Sequence, residues 1–270
     1  YRAYAGAADV AAAWEGRWVY SGQYSPSFDR RHGAPADAID HRHFVVFDTN
    51  HDHVGNTPRG DRMLSDVAPD DPRHRLAAAA VLLSPFTPML FMGEEYGETS
   101  PFPYFIDHGD PDLVEAVRVG RQREFSGADW SGPVADPADP STFEAAVLDV
   151  PLPEREPHRS RLAMATELLR LRRAHRLLTD PSAQQHVSFV DDALFVVRSG
   201  PGETASLVFN FSDEDVDHRS PGPADAVVFD SDDTRWGGPA WSVDRIAPWS
   251  ARLSITQGPA PDATTIYLRR

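Results

Sequence analysis

Two short apolar runs, HFVVF at 43–47 and PMLFM at 88–92, lie on either side of one helix signal, and this order constrains the fold more than any other feature of the chain. Each run is too short for a helix and is bounded by polar residues, the pattern of a strand buried on both faces of a parallel sheet. Between them, Asp71-Pro72 opens the segment RHRLAAAAVLLS. An Asp caps free helical amides, and Pro tolerates the first helical position. Strand, polar loop, helix and strand make a βαβ unit. The spacing predicts parallel neighbours near 43–48 and 88–92, with a helix over 72–84 crossing between them.

The remaining segments read more simply. Residues 7–14 are Ala-rich and predict a short helix, and 20–40 read as a loop. Asp110-Pro111 repeats the start signal before a helix at 112–125, and 126–157 read as a long surface loop. Residues 158–178 predict the strongest helix, with Leu168, Leu171 and Leu178 at helical spacing and Arg on the other face. Past about 182 the composition changes. HVSFV, ALFVV, ASLVFNF, AVVF and TIYL are strand-like runs separated by Asp-Asp, Gly-Pro-Gly, Pro-Gly-Pro and Gly-Gly turn signals. They predict an antiparallel β-sandwich over 183–270, distinct from an α/β domain over 1–182. No catalytic residue is expected after 183, and Trp236, Trp241 and Trp249 read as core or domain-interface residues rather than a sugar platform.

Charge and composition restrict the partners. The net charge of −15 argues against nucleic acid, which is bound through clustered Lys and Arg. No apolar run approaches the length of a membrane span, so no membrane partner is expected. The 270 residues include no cysteine, which excludes disulfides and thiolate metal sites and is compatible with a reducing, cytoplasmic location. No secretory signal opens the chain, and a start at Tyr1-Arg2-Ala3 reads as truncated. An acidic surface suits neutral substrates such as sugars; no cofactor is expected.

In parallel α/β folds, functional residues sit on loops that leave the C-terminal ends of strands. Two loops qualify: Asp48-Thr49-Asn50-His51-Asp52-His53-Val54-Gly55-Asn56 and Gly93-Glu94-Glu95-Tyr96-Gly97. The first supplies donors and acceptors on short side chains. A carboxylate such as Asp52 accepts from two vicinal sugar hydroxyls, and a His N–H donates to one. The same carboxylate favours the positive charge of an oxocarbenium-like transition state. The alternative for this loop is a polar turn whose Asp and Asn cap the backbone. A metal site at His51, Asp52 and His53 is a weaker alternative, since adjacent side chains rarely converge on one ion. In the second loop, one Glu of the pair binds substrate, or both only order the loop.

FVVFDTNHDHVGN resembles the strand-seven segment of α-amylase-type glycosidases, which ends in Asn-His-Asp, and LLSPFTPMLFMGEEYG resembles the strand-eight segment that follows it. SGQYSPSFDRRHG, PFPYFIDHGDPDLVEAVRVGRQREF and the small β-domain are similar to malto-oligosyltrehalose trehalohydrolases. The resemblance implies the C-terminal portion of a (β/α)8 barrel, from about strand seven, followed by the small β-sandwich. It implies a retaining hydrolase of malto-oligosaccharides that end in trehalose, cleaving the α-1,4 bond next to the trehalose. The nucleophilic Asp and acid/base Glu of that family would precede Tyr1. Asp52 matches the transition-state stabiliser, His51 the hydroxyl-binding His, and His51, Asp52, His53, Val54, Gly55, Asn56 and Glu95 the substrate-binding set; no metal is implied. Two departures touch specificity: His53 stands where the family has Gln, and Thr57 where it has Arg, with Arg59 or Arg62 as replacements. The alternatives are a glycogen-branching enzyme or another amylase relative and, from another class, a non-catalytic carbohydrate-binding or structural module.

Overall fold

A computed structural model describes residues 4, 6–63, 65–126, 133–218 and 226–258. In chain order these form α1 (Gly6–Gly16), the strands β1 (Ser21–Ser25) and β2 (Arg30–Gly33), β3 (Val45–Val46), α2 (His51–Gly55), α3 (Pro72–Leu82), β4 (Thr87–Pro88), α4 (Pro111–Ser126), α5 (Pro140–Ala145) and α6 (His158–Ala174). Seven strands follow: β5 (Gln184–Val190), β6 (Ala193–Gly200), β7 (Glu203–Asn210), β8 (Val216–Asp217), β9 (Val227–Asp230), β10 (Arg245–Ile246) and β11 (Ala251–Gln257). They make two compact units, one of Tyr1–Val46, Asp70–Met89 and Ala163–Arg270, the other of Phe47–Pro69 and Leu90–Leu162.

The first unit contains the expected βαβ element. β3 and β4 are parallel neighbours, with Val45 opposite Thr87 and Val46 opposite Pro88. Thr87 N donates to Phe44 O at 2.9 Å and Met89 N to Val46 O at 2.8 Å. The helix between them starts where its sequence signal lies: Asp71 accepts the Arg73 amide at 3.0 Å, and Pro72 occupies the first turn. Leu76, Ala79 and Leu82 are buried along it at helical spacing. Past its end, the Arg172 guanidinium of α6 donates to the carbonyls of Leu82, Ser84 and Phe86. Carbonyls left without intrahelical partners are thereby satisfied.

Several expectations need correction. The strands at 43–47 and 88–92 are each only two residues long, and Val45 is 55% exposed rather than buried on both faces. Among the described residues β3 has one sheet neighbour, so its other edge lacks the strand that full burial requires. The 20–40 segment is not all loop, because β1 and β2 pair antiparallel there. The 126–157 segment contains α5, capped by Asp139 over the Ser141 amide at 2.8 Å; residues 127–132 lie outside the described set. The helix expected over 158–178 is α-helical to Ala174 and continues as a 3-10 turn over Arg176–Leu178, which still buries Leu178.

The C-terminal strands form an antiparallel sheet in the order β5-β6-β7-β11-β9. β8 and β10 pair as a second, two-stranded sheet. Ile246 and Val216 of that ribbon pack on Ala193, Phe195 and Val208 of the larger sheet, which gives the sandwich its core. α1 and α3 pack on the larger sheet as well. Trp14 of α1 lies 5.8 Å from the Phe209 ring of β7. Trp236 is buried, lies beside Phe229 and donates Nε1–H to Asp230 O at 3.1 Å, as a core Trp should. The strand-like run at 265–268 lies outside the described residues.

Candidate functional site

The loops that follow β3 and β4 both belong to the second unit. The first folds into the single-turn helix α2 because Asn50 is extended and its side chain accepts the His53 amide at 2.8 Å. The turn thus takes its cap from Asn50. Asp52 is released from that role: its side chain is 80% exposed, and Oδ1 accepts from His51 Nδ1 at 3.1 Å. Asn56 closes the turn, donating its amide to Asp52 O at 3.2 Å, with its side chain exposed. Val54 is 1% exposed and Gly55 is buried, so these two positions hold the turn to the unit's interior.

Aromatic and arginine contacts fix this turn relative to the second loop. The His51 ring lies edge-on to Phe102 at 5.4 Å, and Phe102 edge-on to Phe91 at 5.3 Å. His53 packs against Phe47 at 5.5 Å. Arg121 of α4 donates to Gly55 O at 3.1 Å, and its guanidinium sits between Tyr104 and Phe125, 4.9 Å and 4.8 Å from the ring centroids. Gly60 has φ of +71°, and a Cβ there would stand 2.0 Å from Pro103 N. Only glycine allows the chain to approach Phe102, whose amide donates to Gly60 O at 2.7 Å.

Arg62 does not replace the cation expected at position 57. Its side chain is buried, donates to Ser100 O at 2.6 Å and to Met92 O at 2.9 Å, and lies over Phe91. It joins the two loops. Arg59 is exposed and pairs with Asp61 at 2.9 Å, which leaves it within the reach of solvent. Thr57 instead bonds locally, donating to Val54 O at 2.9 Å and accepting from Asp61 N at 2.9 Å.

The second loop opens as a 3-10 turn over Glu94–Tyr96, with left-handed glycines at both ends. Glu95 is half-buried there. The other Glu of the pair is bound to the loop's own backbone. Glu94 accepts the Phe91 amide at 2.8 Å, and burial pushes its carboxyl up to about 7 from 4.5 against the help of that bond. Burial likewise raises Asp48 to about 6 from 3.8, opposed by Arg161. Each is the acidic residue soon after an apolar strand run, a position that marks a carboxylate drawn inward. Glu98, though burial would raise it, is held low by bonds from the Ser100, Asp149 and Thr99 amides and the Tyr96 hydroxyl. Among the described residues no group of three His, Cys, Asp or Glu side chains is arranged to hold a metal ion. No helix among them is long and apolar enough to cross a membrane.

No family model matches the sequence. A solved protein provisionally named an α-amylase, from Salmonella typhimurium, superposes with a TM-score of 0.78 at 33% identity, over 92% of this chain and 41% of its own. With the βαβ element, its two loops and the β-sandwich, this places the chain among the glycoside hydrolases of the α-amylase superfamily, as a portion of the (β/α)8 barrel followed by a small antiparallel β-domain. Within that class its sequence is similar to malto-oligosyltrehalose trehalohydrolases. That of Arthrobacter ramosus is 40% identical over 203 residues, 74% of this chain, and that of Brevibacterium helvolum 37% identical over 243 residues, 87% of this chain. The chain spans 35% and 39% of the length of these two relatives.

Proposed function

We propose that the chain contributes the strand-seven and strand-eight side of the active site of a retaining malto-oligosyltrehalose trehalohydrolase. The observation that carries this reading is the division of labour in α2: Asn50 caps the turn, and the Asp52 carboxylate stands exposed with His51 hydrogen-bonded to it. The substrate is a malto-oligosaccharide ending in trehalose, cut at the α-1,4 bond next to the trehalose, inside the cytoplasm. Neither nucleic acid nor a membrane takes part. The expected division at 182/183, into barrel and β-domain, goes with this reading.

Asp52 acts without forming a bond to the sugar. Positive charge develops at the anomeric carbon and ring oxygen as the glycosidic bond breaks, and a fixed carboxylate interacts more strongly with that charge than with the neutral ground state. His51 donates to ring hydroxyls, and His53, Asn56 and Glu95 complete the substrate-binding set. Val54 and Gly55 contribute through the backbone and by anchoring the turn. The nucleophilic Asp and acid/base Glu are supplied by a part of the enzyme other than these 270 residues, which by themselves are inactive.

Product analysis tests the reading. A complete enzyme carrying this chain should release free trehalose from malto-oligosyltrehalose. New α-1,6 branches in its place would assign it to the branching enzymes, and no turnover of any α-glucan would leave a non-catalytic binding role.

A further inference from the structure

The unit that holds the antiparallel sheet contains a cavity of about 200 Å³ that the proposed function does not use. Asp230, Asp232, Trp241, Ser242, Arg245 and Arg252 line it. Two of its carboxylates are almost fully withdrawn from solvent: Asp230 is 4% exposed and Asp232 3%. Both oxygens of Asp230 are occupied, Oδ1 by the Asp232 amide at 2.8 Å and Oδ2 by Arg252 Nε at 2.7 Å. Asp232 differs. Its Oδ1 accepts from Arg75 Nη2 at a long 3.3 Å, and its Oδ2 accepts no hydrogen bond from a described residue.

Asp232 lines the cavity, and its Oδ2 keeps an acceptor site that a ligand's hydroxyl can fill. Charge narrows the class of donor. Asp230 and Asp232 face two buried guanidiniums, Arg252 and Arg75, so the carboxylates are already balanced. A further cation would bring an uncompensated charge into the cavity, whereas a neutral hydroxyl satisfies Oδ2 without one. Trp241 supplies an apolar wall, and Arg252 lies over its ring at 5.1 Å and holds it in place. Arg252 is itself fixed by the carbonyls of Ser242 at 2.6 Å and Arg245 at 3.1 Å. An aromatic wall beside a fixed hydroxyl acceptor matches a pyranose, whose C–H face and vicinal hydroxyls point in different directions. The volume lies below that of drug-sized sites and suits one ring.

We propose that this cavity binds a single neutral hexopyranose, either a free hexose or the terminal residue of an oligosaccharide, at a site that shares no residue with the Asp52 loop. Trp241 would then be a binding residue, unlike the core residue Trp236.

The test is a titration of the whole chain with D-glucose and, separately, with maltotriose, following the ¹⁵N indole resonance of Trp241, assigned by its absence in Trp241→Phe. A saturable shift with a dissociation constant on the order of 1 mM is expected. Glucose alone acting identifies a free hexose as the ligand, and maltotriose acting as well identifies a chain end. Asp232→Asn should weaken binding about tenfold, the loss expected for a hydrogen bond to a charged acceptor. Asp52→Asn should leave it unchanged. Because Asp232 also accepts from Arg75, Trp241→Ala is the parallel variant, read by calorimetry, and it should lose binding while melting as a folded protein. No saturable shift with either sugar, undiminished binding in Trp241→Ala, or loss of binding in Asp52→Asn would each overturn the proposal. These outcomes are independent of whether the complete enzyme releases trehalose.

Discussion

Asn50 accepts the His53 amide at 2.8 Å, and this one bond removes the need for Asp52 to cap its own turn. A short polar run after a strand ordinarily spends its carboxylate on the backbone. Here the amide side chain takes that role two residues earlier, and the carboxylate next to His51 is left facing solvent.

Asp52→Asn in the complete enzyme should lower kcat by at least about a hundredfold, the cost of removing one preorganised electrostatic group. The loss should fall on kcat because the interaction strengthens at the transition state. His51→Ala should lose less, with a larger share in KM. Both side chains are exposed, so the melting temperature should hardly move. Near-normal kcat with a lowered melting temperature would assign the turn a structural role only.

Arg121 is the residue that fixes the C-terminal end of the same turn from α4. Arg121→Met keeps much of the stacking on Tyr104 and Phe125 but removes the donor to Gly55 O. It should cost about 1.5–3 kcal/mol in denaturant unfolding. In the complete enzyme KM should rise more than kcat falls, because the turn is displaced rather than stripped of its carboxylate. Unchanged KM would show that the clamp does not position the site.

Stability should decline as pH rises through the range in which Asp48 and Glu94 ionise. Their folded values, about 6 and about 7, lie above the ordinary 3.8 and 4.5. Between the ordinary and folded values the folded chain holds protons that the unfolded chain has released, so the contribution is fully present below about 4 and is lost as pH passes 6 to 7. Solvent contact and Arg161 limit the effect to on the order of 1–3 kcal/mol. Glu94→Gln should flatten much of the slope between about pH 4 and 7 in thermal melts. An equal slope in the variant would place the titration elsewhere.

The ion pair between Arg252 and Asp230, 2.7 Å apart with both side chains almost fully buried, should be intolerant of losing one partner. Arg252→Met should destabilise the chain by about 3–5 kcal/mol, because Asp230 is left charged and unpaired away from water. Combining Asp230→Leu with Arg252→Met should restore part of that loss. A double variant no better than the single one would show that the carbonyl bonds of Arg252, rather than its charge pairing, carry the stability.

Elements that depend on local pattern were legible in the sequence. Asp71-Pro72 starts α3 through a cap and a ring whose geometry is set within three residues. The parallel pairing of β3 with β4 followed from one helix standing between two apolar runs. Alternating apolar runs and turn residues marked out the antiparallel sheet, and the Asn-His-Asp string marked the loop. Strand lengths, the exposure of Val45, the choice of Asn50 over Asp52 as the cap and the withdrawal of Arg62 from solvent were decided only by tertiary structure. Each depends on which groups from distant segments offer a partner or a neighbouring edge. The Asp232 cavity is the clearest case, since Asp232, which lines it, takes its ion-pair partner Arg75 from 157 residues earlier in the chain. A sequence states which side chains carry charge; only the folded chain determines which of those charges are paired, and the cost of burying an unpaired group gives that pairing its consequence.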